Sequence, residues 1–481
     1  MKKRLVSVLL LLSLSAASLL TACGSEDGEP VDTTTAATDT TTAEPALPAG
    51  LEQADYEGAG FNILAREWGL YNNYFFAEEQ TGDVMDDAIY NRDKTVEEYL
   101  NIDITYEYTE LEINNAVQNA VMSGDDIYQL ALTHCISGIA MMVEEGLLYD
   151  FNDFEYVNLS ADYWNHNANE RLSVNGKQFY AISDYMIADP NALLFNKGLL
   201  EEFKLENPYD IVRSGEWTLD KMMEMASAAT RDLDGNSTYD YKDQYGYAMS
   251  SDWHFNSFYY SSGIYLVDKD SNGKFQLALG GERTTRLMEK MYELINSPDS
   301  YIWKHDVPTE ERLTIDTGRV LFCETSLNVL NEFRDTDVEY GILPLPKLDA
   351  SQETYTVNDW SGMMCVPVTV ENPEMIGKAI ELLSYYSTTT TLPTYFDIVL
   401  GVKLSRDEDS REMLELIFDN IVFDAGMNYF GFNEPMMKLF YAIDMHIYKN
   451  NTSDFASYYA TYEQAAITAI EEFNEAAALL K

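Results

Sequence analysis

Basic residues are scarce in this sequence. Its 31 lysines and arginines stand against 81 aspartates and glutamates, a formal net charge of −50 at pH 7. Such a surface repels a polyanion instead of releasing its counterions, so unaided nucleic-acid binding is excluded and docking of the folded surface on anionic lipid is disfavoured. Cysteine is equally sparse. Cys135, Cys323 and Cys365 are far apart, odd in number and form no CxxC, which fits neither a disulfide framework nor a zinc site and points to three buried thiols. Catalytic signatures are missing: there is no HExxH, no P-loop, no GxSxG elbow and no GxGxxG. An enzyme would have to work through paired carboxylates, which no spacing reveals among 81 acids.

What is present begins with a leader. Residues 1–22 carry Lys2, Lys3 and Arg4, an apolar-to-small run from Leu5 to Leu20 and no acid, the pattern of a secretory signal. The run closes on Leu20-Thr21-Ala22-Cys23-Gly24, which resembles the lipobox of bacterial lipoproteins and implies lipidation of Cys23 as the mature N-terminus. Its removal takes three basic residues and shifts the net charge to −53. Residues 23–50 are rich in Thr, Ala, Pro and acid, too poor in large apolar groups to order, and form a tether. The folded part from Leu51 exceeds what one core serves, so two domains are expected.

The folded part turns on residues 177–203. Two β-prone runs, 178–182 and 192–195, flank a polar, proline-containing break at 183–191, and a helical run follows from Gly198. Before the break, apolar periodicity predicts strands over 61–65, 102–108 and 127–133 alternating with helices over 84–100, 111–122 and 139–145. That alternation indicates βαβ units and an α/β fold. Beyond it, Thr218 caps a predicted helix over 219–229, and Asn272-Gly273 centres a hairpin over 265–279. Helices are predicted over 282–296, 310–316 and 373–385, strands over 320–323, 339–343 and 363–368, and mostly helix thereafter.

A set of short segments falls in a telling order and spacing. They are Asp126–Leu132 with Gly146-Leu147-Leu148; the strand-Asn-Lys-helix run Leu194-Phe195-Asn196-Lys197-Gly198; Gly215-Glu216-Trp217-Thr218; Asp243-Gln244-Tyr245-Gly246; Gly318-Arg319-Val320; and Tyr340-Gly341-Ile342-Leu343-Pro344 with Val366-Pro367. Together they resemble the extracellular solute-binding proteins of bacterial ABC importers, the sugar-binding, family 1-like type found as lipoproteins in Gram-positive bacteria. The resemblance implies a type II periplasmic-binding-protein-like fold: two α/β lobes, each a mainly parallel sheet flanked by helices, with a cleft between. Lobe 1 would span 51–185 with 343–385 returning to it, and lobe 2 186–342 with the C-terminal helices 386–481. The crossings would lie at 183–191 and 339–346. The implied protein is a monomer without catalysis or a required cofactor, held on the extracellular face of the membrane by lipid on Cys23. It captures a carbohydrate, in particular an oligosaccharide, by cleft closure and delivers it to an ABC permease. A surface glycoside-acting enzyme and a receptor of the same fold for a peptide stay open as alternatives.

Ligands of open α/β sheets bind beyond the carboxyl ends of the strands. That rule selects Arg66 and Trp68 after the strand 61–65, His134 after 127–133, Asp189 at the break, Trp253 after the strand 245–249, Glu324 after 320–323, and Asp359 and Trp360 before Met363. Sugars need aromatic planes for their C–H faces and polar groups for their hydroxyls, a mixture these residues supply. Each has a structural alternative: core packing for a tryptophan, a satisfied histidine, a helix cap for an acid. Finally, Asp232, Asp234, Asn236, Thr238, Asp240 and Asp243 are spaced as in a calcium loop, with Ser237 at the sharp-turn glycine position and Asp243 in place of a bidentate Glu; a solvated Asx-rich turn is the alternative.

Overall fold

Local capping sets many of the element boundaries in the computed structural model, which describes residues 47, 48, 50–66, 75–109, 112–135, 138–250, 254–303, 307–333, 335–360, 362–399 and 407–480. The chain separates into Met1–Glu52 and a unit Gln53–Lys481, and the latter holds every element named below. Strand β1 (Ala59–Arg66) leads to the helix Val84–Leu100. The Asp83 carboxylate accepts the N–H of Met85 at 2.8 Å and of Asp86 at 3.3 Å in its first turn, and Asn101 ends it in the left-handed conformation at φ 48°. Strand β2 (Ile102–Thr109), the helix Ile113–Ser123 and β3 (Leu130–Thr133) follow, and β1 lies between β2 and β3 with both pairings parallel.

Strand β4 (Asn191–Asn196) opens a second sheet. The Asn196 side chain accepts the N–H of Leu199 at 3.0 Å and so caps the helix Lys197–Phe203, which is the physical content of the strand-Asn-Lys-helix run. Then come the helix Leu219–Ala229, capped by Thr218, β5 (Tyr245–Ser250), the antiparallel hairpin β6 (Val267–Lys269) and β7 (Phe275–Leu277), the helix Gly281–Ile295, β8 (Ser300–Trp303), β9 (Val320–Ser326) and β10 (Tyr340–Leu343). The second sheet runs β10-β4-β9-β5-β8. Strand β11 (Val357–Asn358) pairs with β13 (Ile421–Val422), and β12 (Met363–Cys365) joins the first sheet against β3, giving β12-β3-β1-β2.

Both sheets follow one rule of direction among the described residues. One strand in each opposes its neighbours, β12 in the first and β4 in the second, and each is the first strand its sheet receives after the chain changes sheets. The second sheet thus has two antiparallel pairings, β4 with β9 and with β10, beside two parallel ones, where a mainly parallel sheet was expected. Two glycines of those short segments are fixed by close approach: a Cβ on Gly246 would lie 1.9 Å from the Ala226 carbonyl oxygen, and one on Gly341 2.2 Å from the Tyr209 hydroxyl. Trp217 is fully buried and its Nε1 donates to the Pro344 carbonyl at 3.0 Å, fastening the chain that leaves β10.

Other stretches differ from their sequence reading. Residues 178–182 form no strand; Ala181 alone exchanges backbone hydrogen bonds with Met364, at 3.0 and 2.9 Å. Residues 310–316 fall in two 3-10 turns, Thr309–Glu311 and Ile315–Thr317, with Leu313 buried between them, and not in a helix. Strand β10 lies wholly in the second sheet, and Lys347 still exchanges backbone hydrogen bonds with Trp217 and Leu219, so the passage back falls within 356–362 and not at 339–346. Cys135, Cys323 and Cys365 are buried free thiols, as their spacing implied.

Candidate functional site

The carboxyl ends of parallel strands in both sheets abut the two crossings. Thr133, the last residue of β3, pairs with Met363, while Ser326, the last residue of β9, pairs with Asn191. Between these pairs the crossings touch each other: Pro190 bridges Asp359, and the Trp360 N–H donates to the Asp189 carbonyl at 3.3 Å. The two sheets are thus held together at this point by the contact of the crossings.

Four of the residues selected from the sequence meet at this junction. Asp189, Asp359, Trp360 and His134 are each at most 7% exposed. The Asp359 carboxylate accepts the Asp189 N–H at 2.8 Å, and the Asp189 carboxylate accepts the Asn328 N–H at 2.9 Å. His134 Nε2 faces the Trp360 carbonyl at 2.8 Å, which fixes the tautomer with the proton on Nε2, and its ring stacks on the indole. Burial pushes this imidazole down to about 4, with a smaller push from Arg66, so the ring is neutral. Arg66 ends β1 and pairs with Glu112 at 3.3 Å.

Glu324 sits deeper. It is 1% exposed, with Asn191 Nδ2 donating to it at 3.1 Å and the Tyr247 hydroxyl at 3.4 Å, and burial holds its carboxyl well above the usual range, in the protonated form. It braces the start of β4 and does not reach open space. Trp68, Trp253 and Cys23 lie outside the described residues.

Sequence reasoning missed three buried asparagines and Asp424. Asn256, Asn358 and Asn428 are each buried with an amide oxygen that has no hydrogen-bond partner. Asn428 comes from the π-helical turn Gly426–Phe430 and brings its amide nitrogen 3.4 Å from Met363 Sδ. Asp424, buried beside this turn, accepts the N–H of Leu266 and of Gly426 at 2.7 Å, of Val267 at 3.3 Å, and the Tyr260 hydroxyl at 3.1 Å; burial raises it to about 6. Polar residues in helix-rich sequence carry no periodic signal, so only the tertiary contacts expose them.

The candidate cation loop is ordered by its own acids. The carboxylates of Asp232, Asp234 and Asp243 converge within 4.8 Å. Asp232 accepts the N–H of Ser237 at 2.7 Å, and Ser237 adopts φ 63°, the left-handed turn that glycine usually supplies at this position. Asn236 and Asp240 are engaged through their oxygens with the N–H groups of Thr238 and Lys242. The backbone N–H groups of Asp240 and Leu233 hold the Asp243 carboxyl below its ordinary range, so it is ionised.

Two sheets joined by two crossings, each receiving one reversed strand, match solved structures over most of the chain. The galacto-N-biose/lacto-N-biose I-binding protein of the Bifidobacterium longum ABC transporter, in complex with lacto-N-biose, superposes with a TM-score of 0.60 at 12% identity, over 86% of this chain and 98% of that one. The fold is that of a solute-binding protein. The same solute-binding fold relates the chain to the Streptomyces glaucescens GacH receptor, solved unliganded and with acarbose (TM-score 0.53, 14% identity, 88% of this chain and 100% of that one). It also relates it to an ABC substrate-binding protein from Listeria monocytogenes in complex with cycloalternan (TM-score 0.51, 12% identity, 82% and 99%). Neither a protein-family profile nor a curated protein matches the sequence.

Proposed function

We propose that this chain is an extracellular receptor that captures a carbohydrate between its two sheets and hands it to an ABC permease, tethered to the membrane by lipid on Cys23. The observation that carries the reading is the junction itself: strand ends of both sheets abut two touching crossings, so a solute seated there contacts both halves and favours the form in which they are closed. The carbohydrate complexes of the similar structures support the same choice of ligand. Catalysis is disfavoured because the Asp189 and Asp359 carboxylates already accept backbone N–H groups, Glu324 is protonated, and the His134 imidazole, lowered to about 4, is only a weak base. Arg66, Trp68 and Trp253, with the junction residues, complete the proposed ligand surface. Mono- and oligosaccharides screened by thermal shift test the reading: one class should raise the melting temperature by mass action and be recovered intact, whereas released reducing ends would overturn it.

We also propose that the loop Asp232–Asp243 takes calcium, supported by the converged carboxylates and the left-handed Ser237 turn. Calcium should raise the melting temperature over chelator in the wild-type protein and not in Asp232→Ala; equal shifts in both would sink the proposal.

A further inference from the structure

A cavity of about 350 Å³ opens between the short helix His166–Leu172 and the hairpin β6–β7. His134, Asp189, Asp359 and Trp360 take no part in its lining. Val267, Phe275 and Ala425, each at most 3% exposed, give it an apolar wall, and Glu170, Arg171, Asp268 and Lys269 supply its charges.

The two cations are held unequally. Arg171 lies 4.2 Å over the Tyr265 ring and pairs with Asp268 at 3.3 Å. The same carboxylate accepts the Lys269 backbone N–H at 2.9 Å, so it is committed to these neighbours. The Lys269 ammonium donates instead to the Glu170 carbonyl and, at 2.7 Å, to the Ser173 hydroxyl, and it forms no ion pair among the described residues. An ammonium has three N–H donors, and only two are spent. Burial brings this one down to about 8, although the Glu170 and Asp268 carboxylates pull the other way. Both acids are exposed and solvated, which leaves the ammonium without a counterion. A half-buried charge of that kind beside a cavity is costly, and a bound anion supplies the partner that the chain withholds.

We propose that this cavity binds a small organic carboxylate, its anion on the Lys269 ammonium and the remaining N–H groups of Arg171, its apolar body against Val267, Phe275 and Ala425. A phosphate dianion suits it less, because the Asp268 and Glu170 carboxylates repel the second negative charge. A neutral molecule leaves the ammonium unanswered. The site uses no residue of the junction, so it stands or falls apart from the receptor function.

Calorimetry of the mature chain with benzoate, beside benzyl alcohol and inorganic phosphate, tests the proposal. Benzoate should bind at neutral pH, and the other two about tenfold more weakly or worse. Lys269→Met keeps the aliphatic stem and drops the charge; it should weaken benzoate about tenfold, and Lys269→Arg should restore most of the loss. Asp268→Asn releases Arg171 from its partner and should tighten benzoate severalfold, which a merely structural role for these groups does not predict. Asp268 is exposed, so this variant reads the site even where a change at Lys269 disturbs the fold. Affinity should be level up to about pH 8 and fall above it as the ammonium loses its proton, a fall that Lys269→Arg should remove. Absence of benzoate binding, equal binding by Lys269→Met, or benzyl alcohol binding as tightly as benzoate overturns the proposal, and phosphate binding more tightly than benzoate overturns the choice of a carboxylate.

Discussion

Replacing Glu324 by glutamine isolates the electrostatic cost of a buried acid beneath the junction. In the folded chain its carboxyl is 1% exposed and held protonated well above the usual range, chiefly by desolvation, while in the unfolded chain it titrates near ~4.3. The folded state therefore binds the proton more tightly, and the stability this gives is complete below the unfolded value and is lost as pH rises above it. Each pH unit in that window costs wild type about 1.4 kcal/mol. Glutamine keeps the acceptor for Asn191 and gains a donor for the Tyr247 oxygen, and it has no proton to lose. Above the unfolded value the variant should therefore gain on wild type for as long as the folded carboxyl keeps its proton. For a cooperative unit of this size each such pH unit is a divergence of about 1.5 °C in melting temperature. Differential scanning fluorimetry of both proteins across that range measures it, with all other titrations common to the pair. Parallel curves would mean that Glu324 titrates as an exposed acid and would refute the buried arrangement.

Further outcomes follow from burial and capping. Trp360→Ala should lower unliganded stability by about 3–5 kcal/mol in chemical denaturation, because the indole is 7% exposed and stacks on His134; a loss below about 1 kcal/mol would place it as a free ligand plane. Asp424→Ala leaves the N–H groups of Leu266, Val267 and Gly426 without their acceptor and should cost about 2–5 kcal/mol by the same assay, a near-neutral result contradicting the clamp. With Asp424 raised to about 6 from an ordinary ~3.9, its titration also disfavours the folded state as pH rises through this window, a slope that Asp424→Asn should remove in melting curves.

The elements legible in the sequence are those whose ends are set locally. The helix Val84–Leu100 could be read from its apolar spacing, with ends that coincide with the Asp83 and Asn101 caps, and the hairpin because Asn272-Gly273 supplies its turn. The short segments that carry the resemblance marked real contacts: Asn196 as a cap, Gly246 and Gly341 as close approaches, Trp217 as an anchor. What was not legible depends on distant pairing. Nothing near Ala181 announces Met364 as its partner, and nothing in residues 339–346 delays the return crossing to 356–362. The strand-end rule found His134, Asp189, Asp359 and Trp360, which converge, but it took Glu324 for a ligand contact beyond the strand 320–323, whereas β9 continues to Ser326 and Asn191 and Tyr247 close over the carboxyl. Asn256, Asn358 and Asn428 escaped it, since a buried amide declares itself only when its missing partner can be seen.

The central claim is that a carbohydrate bridges the two sheets and draws them together about the crossings. Small-angle X-ray scattering of the mature chain, with and without an oligosaccharide shown by calorimetry to saturate it, tests this most directly. The account predicts a smaller radius of gyration with sugar than without. An unchanged radius at proven saturation would contradict it.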